Sequence, residues 1–373
     1  MEIFSKFIIC LAVAYTLILT GTPANASFHS GGVGYCNGCH VMHDSTQSLR
    51  GADPSSTCLN CHANNQRVFS NDGNVYSPGG DFYWLTQSFA GATYQSPDYT
   101  HGHNVIAIDF GLVADSMLAT APSHGIVQYQ SSWLGCQSCH DPHGRVSGSM
   151  PQQTITRSGS YGNVASGGNY RLLGGVSYNG GEAASGISFS SAAPIAKAYK
   201  PTQADWPTEK DNNHVDYGFG MSEWCTNCHS GYDVQTHNAA FVHPSGANAA
   251  FGSAEMATYN SYVATGDLSG LEISSFNHLI PFERGTIDRS QLDTSRTDGP
   301  STTAKVMCLT CHRAHASAFS ASARWDFQVQ NLLDSPVLLT PQGIHAYYGD
   351  DISIRYNSGQ GQLCEKCHAG GAP

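Results

Sequence analysis

Six copies of one short pattern of cysteine and histidine recur along the 373-residue chain. In each copy two cysteines stand three positions apart, and a histidine follows the second one directly. This C-x-x-C-H pattern is typical of covalent haem c attachment, in which both thiols add to the haem vinyl groups and the imidazole ligates the iron. The copies are Cys36, Cys39 and His40; Cys58, Cys61 and His62; Cys136, Cys139 and His140; Cys225, Cys228 and His229; Cys308, Cys311 and His312; and Cys364, Cys367 and His368.

The recurrence is too frequent for coincidence, and two other uses of paired cysteines fit it less well. With 13 Cys and 18 His in the chain, chance predicts about 0.02 copies. A zinc site would need a second Cys or His pair at ribbon or finger spacing, whereas the gaps between these copies are irregular. A disulfide framework would not need a histidine after every second cysteine. We therefore predict six covalently bound haems c.

The other twelve histidines are twice as many as six distal axial positions require, so every iron can be low-spin with two histidine ligands. A distal methionine at some haem is the less favoured alternative, since the chain has only seven Met. The twelve are His29, His43, His101, His103, His124, His143, His214, His237, His243, His278, His315 and His345.

Three of these histidines, His43, His143 and His315, stand three residues after a motif histidine. At that offset the imidazole lies on the same side of the haem as the proximal ligand, so the macrocycle blocks it from the far face of that iron. Each is therefore predicted to serve another haem or none. The alternative is a surface histidine, or one that is hydrogen-bonded to a haem propionate.

The first 26 residues predict a secretory signal peptide, and residues 27–373 a single hexahaem domain. Lys6 precedes an apolar run from Phe7 to Leu19, and Ala24-Asn25-Ala26 offers a cleavage site near Ala26 or Ser27. The run is shorter than the roughly 20 residues of a membrane-spanning helix, which makes a retained anchor the weaker alternative. Cleavage would also remove Cys10, the cysteine outside the six motifs.

Composition predicts a mostly irregular fold organised around its haems, with short helices and a few short hairpins. Only 12% of residues are charged and 40 are Gly, while long periodic segments are scarce. Segments such as STCLNCHANNQ and MSEWCTNCHSG predict short helical turns that carry a motif. The net charge of −11 argues against nucleic-acid binding and favours a cationic partner or a mineral surface.

Several segments resemble the OmcS-type hexahaem c-type cytochromes, which form filaments at the outer surface of metal-reducing bacteria. They are FHSGGVGYCNGCHVMHDS, CQSCHDPHGR, MSEWCTNCH, VHPSG, CLTCHRAHASAF and LCEKCHA, and the resemblance spans the mature chain. It implies export, end-to-end polymerisation and one continuous stack of haems with two histidine ligands each.

The resemblance also implies ligand roles for seven histidines. His43 would ligate the haem on Cys308 and Cys311 of a neighbouring subunit. Four others lie in segments that match the family pattern for distal ligands, namely His103, His143, His243 and His315. His29 and His237 lie in matching segments too, and because six positions have seven candidates, one of these two is expected not to be a ligand.

Three functional hypotheses remain at this point. The leading one is an extracellular filament, not an enzyme, that conducts electrons to Fe(III) or Mn(IV) oxides, electrodes or partner cells and exchanges them with other redox cytochromes. A monomeric periplasmic or surface electron shuttle is the alternative. A multihaem reductase is less favoured, because it needs an open iron and all six motifs carry His.

Overall fold

The computed structural model describes most of the chain around and between the haem motifs. The described residues are 36–41, 48–63, 68–74, 77–92, 94–125, 128–142, 169–181, 186–199, 209–232, 243–338, 340–347 and 350–368. The predicted signal peptide and its cleavage site lie outside them.

The helices of the described residues are short, and six of the eight lie at haem motifs. In chain order they are α1 (Cys36–Cys39), α2 (Pro54–His62), α3 (Cys136–Cys139), α4 (Met221–Cys225), α5 (Ser253–Ser261), α6 (Cys308–Cys311), α7 (Ile352–Tyr356) and α8 (Gln362–Glu365). Single turns of 3₁₀ helix connect many of them, for example at Phe82–Thr86, Ile108–Phe110 and Ser320–Ser322.

Two small antiparallel sheets complete the regular structure of the described residues. The first pairs β1 (Phe89–Ala90) with β2 (Gln95–Ser96). The second pairs β3 (Ile195–Lys197) with β4 (Asp216–Phe219), so that Ala196 faces Tyr217 across a ladder with one bulge. Neither sheet is large enough to form a core on its own.

Two clusters of buried side chains form the protein part of the core. The larger one contains Trp84, Tyr259, Phe282 and Phe319, each at most 1% exposed. Motif cysteines pack against both clusters, Cys311, Cys364 and Cys367 against the larger one and Cys139 against the smaller. The predicted haem attachment points therefore belong to the core, and the predicted fold of short helices, small hairpins and loops is confirmed.

No helix among the described residues has the length and apolar character needed to cross a lipid bilayer.

Candidate haem sites

The motif helices place the thiols and the imidazole of each attachment site. Cysteines three residues apart lie on one side of a helical turn, which suits two thiols that bind one porphyrin. In four motifs the histidine N–H donates to the carbonyl oxygen of the first cysteine at 3.0 Å, so the turn continues into the ligand; these histidines are His140, His229, His312 and His368.

Helix α2 shows how the sequence fixes such a turn. Asp53 precedes Pro54 and accepts a hydrogen bond from the N–H of Ser56 at 2.8 Å. An acidic N-cap followed by proline is a common way to begin a helix. Asp53 also accepts from the N–H of Ile108 at 2.7 Å, and so holds a distant loop against the second haem motif.

Successive motifs approach each other through their thiols, in the order of the sequence. In every pair of successive motifs, thiols lie close enough to influence each other's pKa. The influence is largest between Cys58 and Cys136 and between Cys225 and Cys308, and it is smaller between Cys39 and Cys58, between Cys139 and Cys228, and between Cys311 and both Cys364 and Cys367. The six attachment sites thus form one row, which spacing in the sequence could not reveal.

Three motif histidines face a second histidine across a gap of the size of a metal ion. The ring centroids are 5.8 Å apart for His103 and His229, 6.3 Å for His315 and His140, and 6.1 Å for His243 and His368. A bond from a metal to an imidazole nitrogen is about 2 Å long, so two imidazoles on opposite sides of one metal have centroids about 6 Å apart. The observed spacing fits one iron in each pair.

The second ring nitrogen of these histidines is occupied in a way that leaves Nε2 for a metal. Nδ1 lies 2.8 Å from the Ala314 carbonyl oxygen in His103, and 2.9 Å from that of Pro122 in His229. In His140 it lies 2.8 Å from the Arg171 oxygen. Such bonds fix the tautomer and the ring orientation of metal ligands.

Desolvation keeps two of the distal candidates, His103 and His315, neutral, as a metal ligand must be. Desolvation, with the nearby His229 ring, lowers the pKa of His103 to about 4. Desolvation, with the nearby His140 ring, lowers the pKa of His315 to about 3. At neutral pH both imidazoles have a lone pair available.

Comparison with known proteins agrees with this geometry. The chain is 35% identical to the C-type cytochrome OmcS of Geobacter sulfurreducens over 437 aligned residues, which cover 97% of this chain and 98% of that protein. The chain belongs to the OmcS family of c-type cytochromes. It carries covalent haem c, and its six motifs correspond to six haems. No protein-family model matches the chain.

Two solved structures of the OmcS family resemble this fold along their whole length. A cryo-EM structure of OmcS nanowires from Geobacter sulfurreducens has a TM-score of 0.76 at 33% identity and covers 92% of this chain and 100% of that one. A structure of the outer membrane cytochrome S filament from Geobacter sulfurreducens has a TM-score of 0.70 at 31% identity, with the same coverage.

In this OmcS-type chain, His103 and His315 lie side by side although 211 residues separate His103 from Ala314, which precedes His315. The N–H of His103 donates to the His315 carbonyl oxygen at 2.9 Å, and Gly102 pairs with Ala316. A Cβ on Gly102 would lie 2.3 Å from that carbonyl oxygen, so only glycine allows this approach. One pair of backbone segments therefore presents the distal candidates of the third and fourth haems.

The position of His315 agrees with the prediction that a histidine three residues after a motif serves another haem. It follows the fifth motif and faces His140 of the third. Iron ligation by His103, His243 and His315 stays a prediction. The other predicted distal ligands, His29, His43, His143 and His237, lie outside the described residues.

The family resemblance selects His103 and not His101 in HGHNV as a distal ligand, and the surroundings of the two histidines differ in the same sense. His101 is fully buried, with Nδ1 2.9 Å from the Trp84 carbonyl oxygen and Nε2 2.8 Å from the Ser96 hydroxyl. Both nitrogens are used by the protein, so His101 has a structural role. His103 uses only Nδ1 in this way, and its Nε2 lies 3.5 Å from Nε2 of His229.

The proximal candidate of the fifth haem has a different environment from the three paired ones. His312 directs Nδ1 to the Ala321 carbonyl oxygen at 2.8 Å. Among the described residues, the aromatic ring in contact with His312 is Phe327, at 5.9 Å and 80°, and Phe327 is 48% exposed.

Proposed function

We propose that this cytochrome is exported after removal of residues 1–26 and polymerises end to end at the cell surface. Electrons pass along its haems to acceptors outside the cell, such as Fe(III) or Mn(IV) oxides, electrodes or partner cells. At each junction His43 of one subunit ligates the haem that Cys308 and Cys311 hold in the next. The two related structures are of nanowires and of a filament, which supports polymerisation.

The observation that carries the junction is the contrast at His312. Three motif histidines face a histidine of the same chain, whereas the described ring against His312 is a half-exposed phenylalanine. His43 cannot reach the far side of its own haem, because it follows His40 by three residues. His43 therefore needs the iron of another haem, and His312 lies beside a half-exposed side chain that another subunit could approach. The two residues are suited to meet at a junction between subunits.

The row of thiol contacts supports electron passage within the subunit. Bound haem supplies reversible one-electron chemistry, and the chain supplies spacing, axial ligands and insulation. Because each motif approaches the next, the attached macrocycles are held as neighbours.

Filling both axial positions with imidazole leaves no position at iron for a substrate. We therefore propose electron transfer rather than bond-making catalysis. Other redox cytochromes and mineral oxide surfaces are the proposed partners, and the net charge of −11 favours cationic contact surfaces on them.

Electron microscopy and optical spectra of the holoprotein test the junction. Wild type is expected to form filaments with low-spin haems. His43→Ala is expected to give single subunits with one high-spin haem.

His103→Ala is the matched control, because it also removes one imidazole but from a pair within the chain. It is expected to show one high-spin haem and to retain filaments. Filaments of undiminished length in His43→Ala would contradict the proposed junction. Wild type that stays as single subunits with six low-spin haems would also contradict it and would favour a soluble shuttle.

A further inference from the structure

A carboxylic acid lies buried beside the contact between the fourth and fifth haem motifs. Glu283 has no exposed surface. Its Oε1 accepts a hydrogen bond from the N–H of Met221 at 2.7 Å, at the start of α4. Its Oε2 is buried and has no hydrogen-bond partner among the described residues. A buried carboxylate with one unsatisfied oxygen is costly, so this group calls for an explanation.

The backbone fixes Glu283 in this place. Its N–H and carbonyl group pair with those of Lys305, at 3.0 and 2.8 Å, and it also forms a bridge with Tyr217. The side chain is thereby directed at the start of the helix that carries Cys225. Helix α4 packs against α6, and Ser222 accepts a hydrogen bond from the N–H of Cys308 at 3.0 Å.

The haem edges must meet near this carboxyl group. The thiols of Cys225 and Cys308 lie close enough for each to shift the pKa of the other, and each is a predicted attachment point of one haem. Two macrocycles attached at neighbouring thiols would have neighbouring edges. Glu283 caps the turn that presents Cys225 and interacts electrostatically with Cys308.

The charged groups around Glu283 leave it without a cation. The ammonium of Lys305 donates a hydrogen bond to the Ala247 carbonyl oxygen, and Arg284 forms an ion pair with Asp216 at 3.0 Å. Glu223, on α4, adds a like charge. Burial, opposed by hydrogen bonds from the backbone of Met221 and assisted by Glu223, raises the pKa of Glu283 to about 7.

We propose that Glu283 takes up a proton when an electron arrives at the haem of Cys225 and Cys228 or at that of Cys308 and Cys311. One-electron reduction of either ferric iron removes one positive charge from the site. The carboxylate then binds one proton from solvent and becomes a neutral acid. Electron and proton leave together when the iron is oxidised again, so Glu283 acts on the potential of these haems without touching iron.

The inference rests on haem attachment at these motifs and not on filament formation. Its direction follows from the charges. At pH below the pKa of Glu283 the acid is neutral and reduction is easier. Above that pKa the carboxylate stabilises ferric iron, so the affinity of these haems for electrons falls as pH rises.

Redox titration of the holoprotein, followed optically at pH 6 and pH 8, tests the proposal. In wild type the equilibrium constant for reduction of part of the haem population is expected to fall at least about threefold over this range. Glu283→Gln keeps an oxygen for the Met221 N–H and mimics the neutral acid. It is expected to remove this fall and to keep the pH 6 behaviour at pH 8, with low-spin spectra unchanged.

Glu272→Gln is the control, since Glu272 is an exposed acid and its loss changes the net charge equally. It is expected to titrate like wild type. An undiminished pH dependence in Glu283→Gln, or an equal loss in Glu272→Gln, would overturn the proposal.

A measurement on wild type alone covers the case in which Glu283→Gln does not mature. The infrared difference between the reduced and oxidised protein at pH 7 is expected to show a new protonated carboxyl band on reduction. No such band, in protein whose six haems reduce fully, contradicts proton uptake by a buried acid. Neither experiment depends on filaments, so failure here leaves the His43 junction standing.

Discussion

The surroundings of the third and fourth haem motifs differ from those of the fifth. His103 and His315 come from two segments that hydrogen-bond to each other, and each faces a motif histidine of the same chain. Phe82, which is 3% exposed, stacks on His315 at 4.8 Å. His312 instead contacts Phe327, which is 48% exposed.

The same two residue types, histidine and phenylalanine, have different roles in the two regions. A histidine with a buried phenylalanine stacked on it is held in one orientation by the protein around it. A histidine beside a half-exposed phenylalanine lies where another molecule has access. We therefore expect the pair packed against buried side chains to serve stability, and His312, beside the half-exposed Phe327, to serve the proposed assembly.

The largest effect is expected from Phe82→Ala in the interior region. Removing a fully buried phenylalanine costs about 3–5 kcal/mol, and here it also removes the ring that stacks on His315. Thermal unfolding of the holoprotein is expected at a clearly lower temperature, with a high-spin fraction at the third haem. A variant as stable as wild type would show that the interior region does not depend on this packing.

A smaller loss is expected from Gly102→Ala, which adds one methyl group between the two ligand segments. Its Cβ would lie 2.3 Å from the His315 carbonyl oxygen and 2.6 Å from the Ala316 Cα. Forcing such segments apart costs about 1–3 kcal/mol. Because the segments present two distal candidates, high-spin signals are expected from two haems.

Gly361→Ala is the matched control for that substitution. The nearest atom to a Cβ there, Cγ of Gln330, is 4.0 Å away, and the backbone is helical. The denaturation midpoint is expected to stay at or above that of wild type. Equal losses at Gly102 and Gly361 would mean that the close approach is not what matters.

The smallest effect on stability is expected from Phe327→Ala at the exposed face. A half-exposed ring contributes about 1 kcal/mol or less to folding of the single subunit. Filament length, measured by electron microscopy and sedimentation, is expected to decrease, because the ring borders the proposed junction. Normal filaments from a destabilised subunit would reverse the assignment of the two regions.

The sequence predicted the haem c cofactor and the fold class because both depend on local patterns. Cysteines and histidine within five residues occupy one helical turn, and the short helices at Pro54–His62 and Met221–Cys225 lie where expected. The abundance of glycine and the small number of charged residues predicted loops around a core that is partly haem.

The sequence could not predict which histidine faces which motif, because those contacts join distant segments. Nothing in HGHNV indicates that His101 bonds to Trp84 and Ser96 while His103 faces His229. Glu283 gave no signal either, since its unsatisfied oxygen is known only once α4 is placed. Such features need tertiary structure, which local spacing does not encode.

The hydrogen bonds that orient the imidazoles have a consequence for divergence among relatives. His103, His140, His229 and His312 each use a main-chain carbonyl, not a side chain, as the partner of Nδ1. Substitution can replace a side-chain partner, but it leaves a carbonyl in place as long as the backbone follows the same path. A relative only 35% identical, as OmcS is, can therefore keep such partners wherever its backbone follows the same path. The orientation of these imidazoles therefore depends more on the path of the chain than on the identity of the side chains beside them.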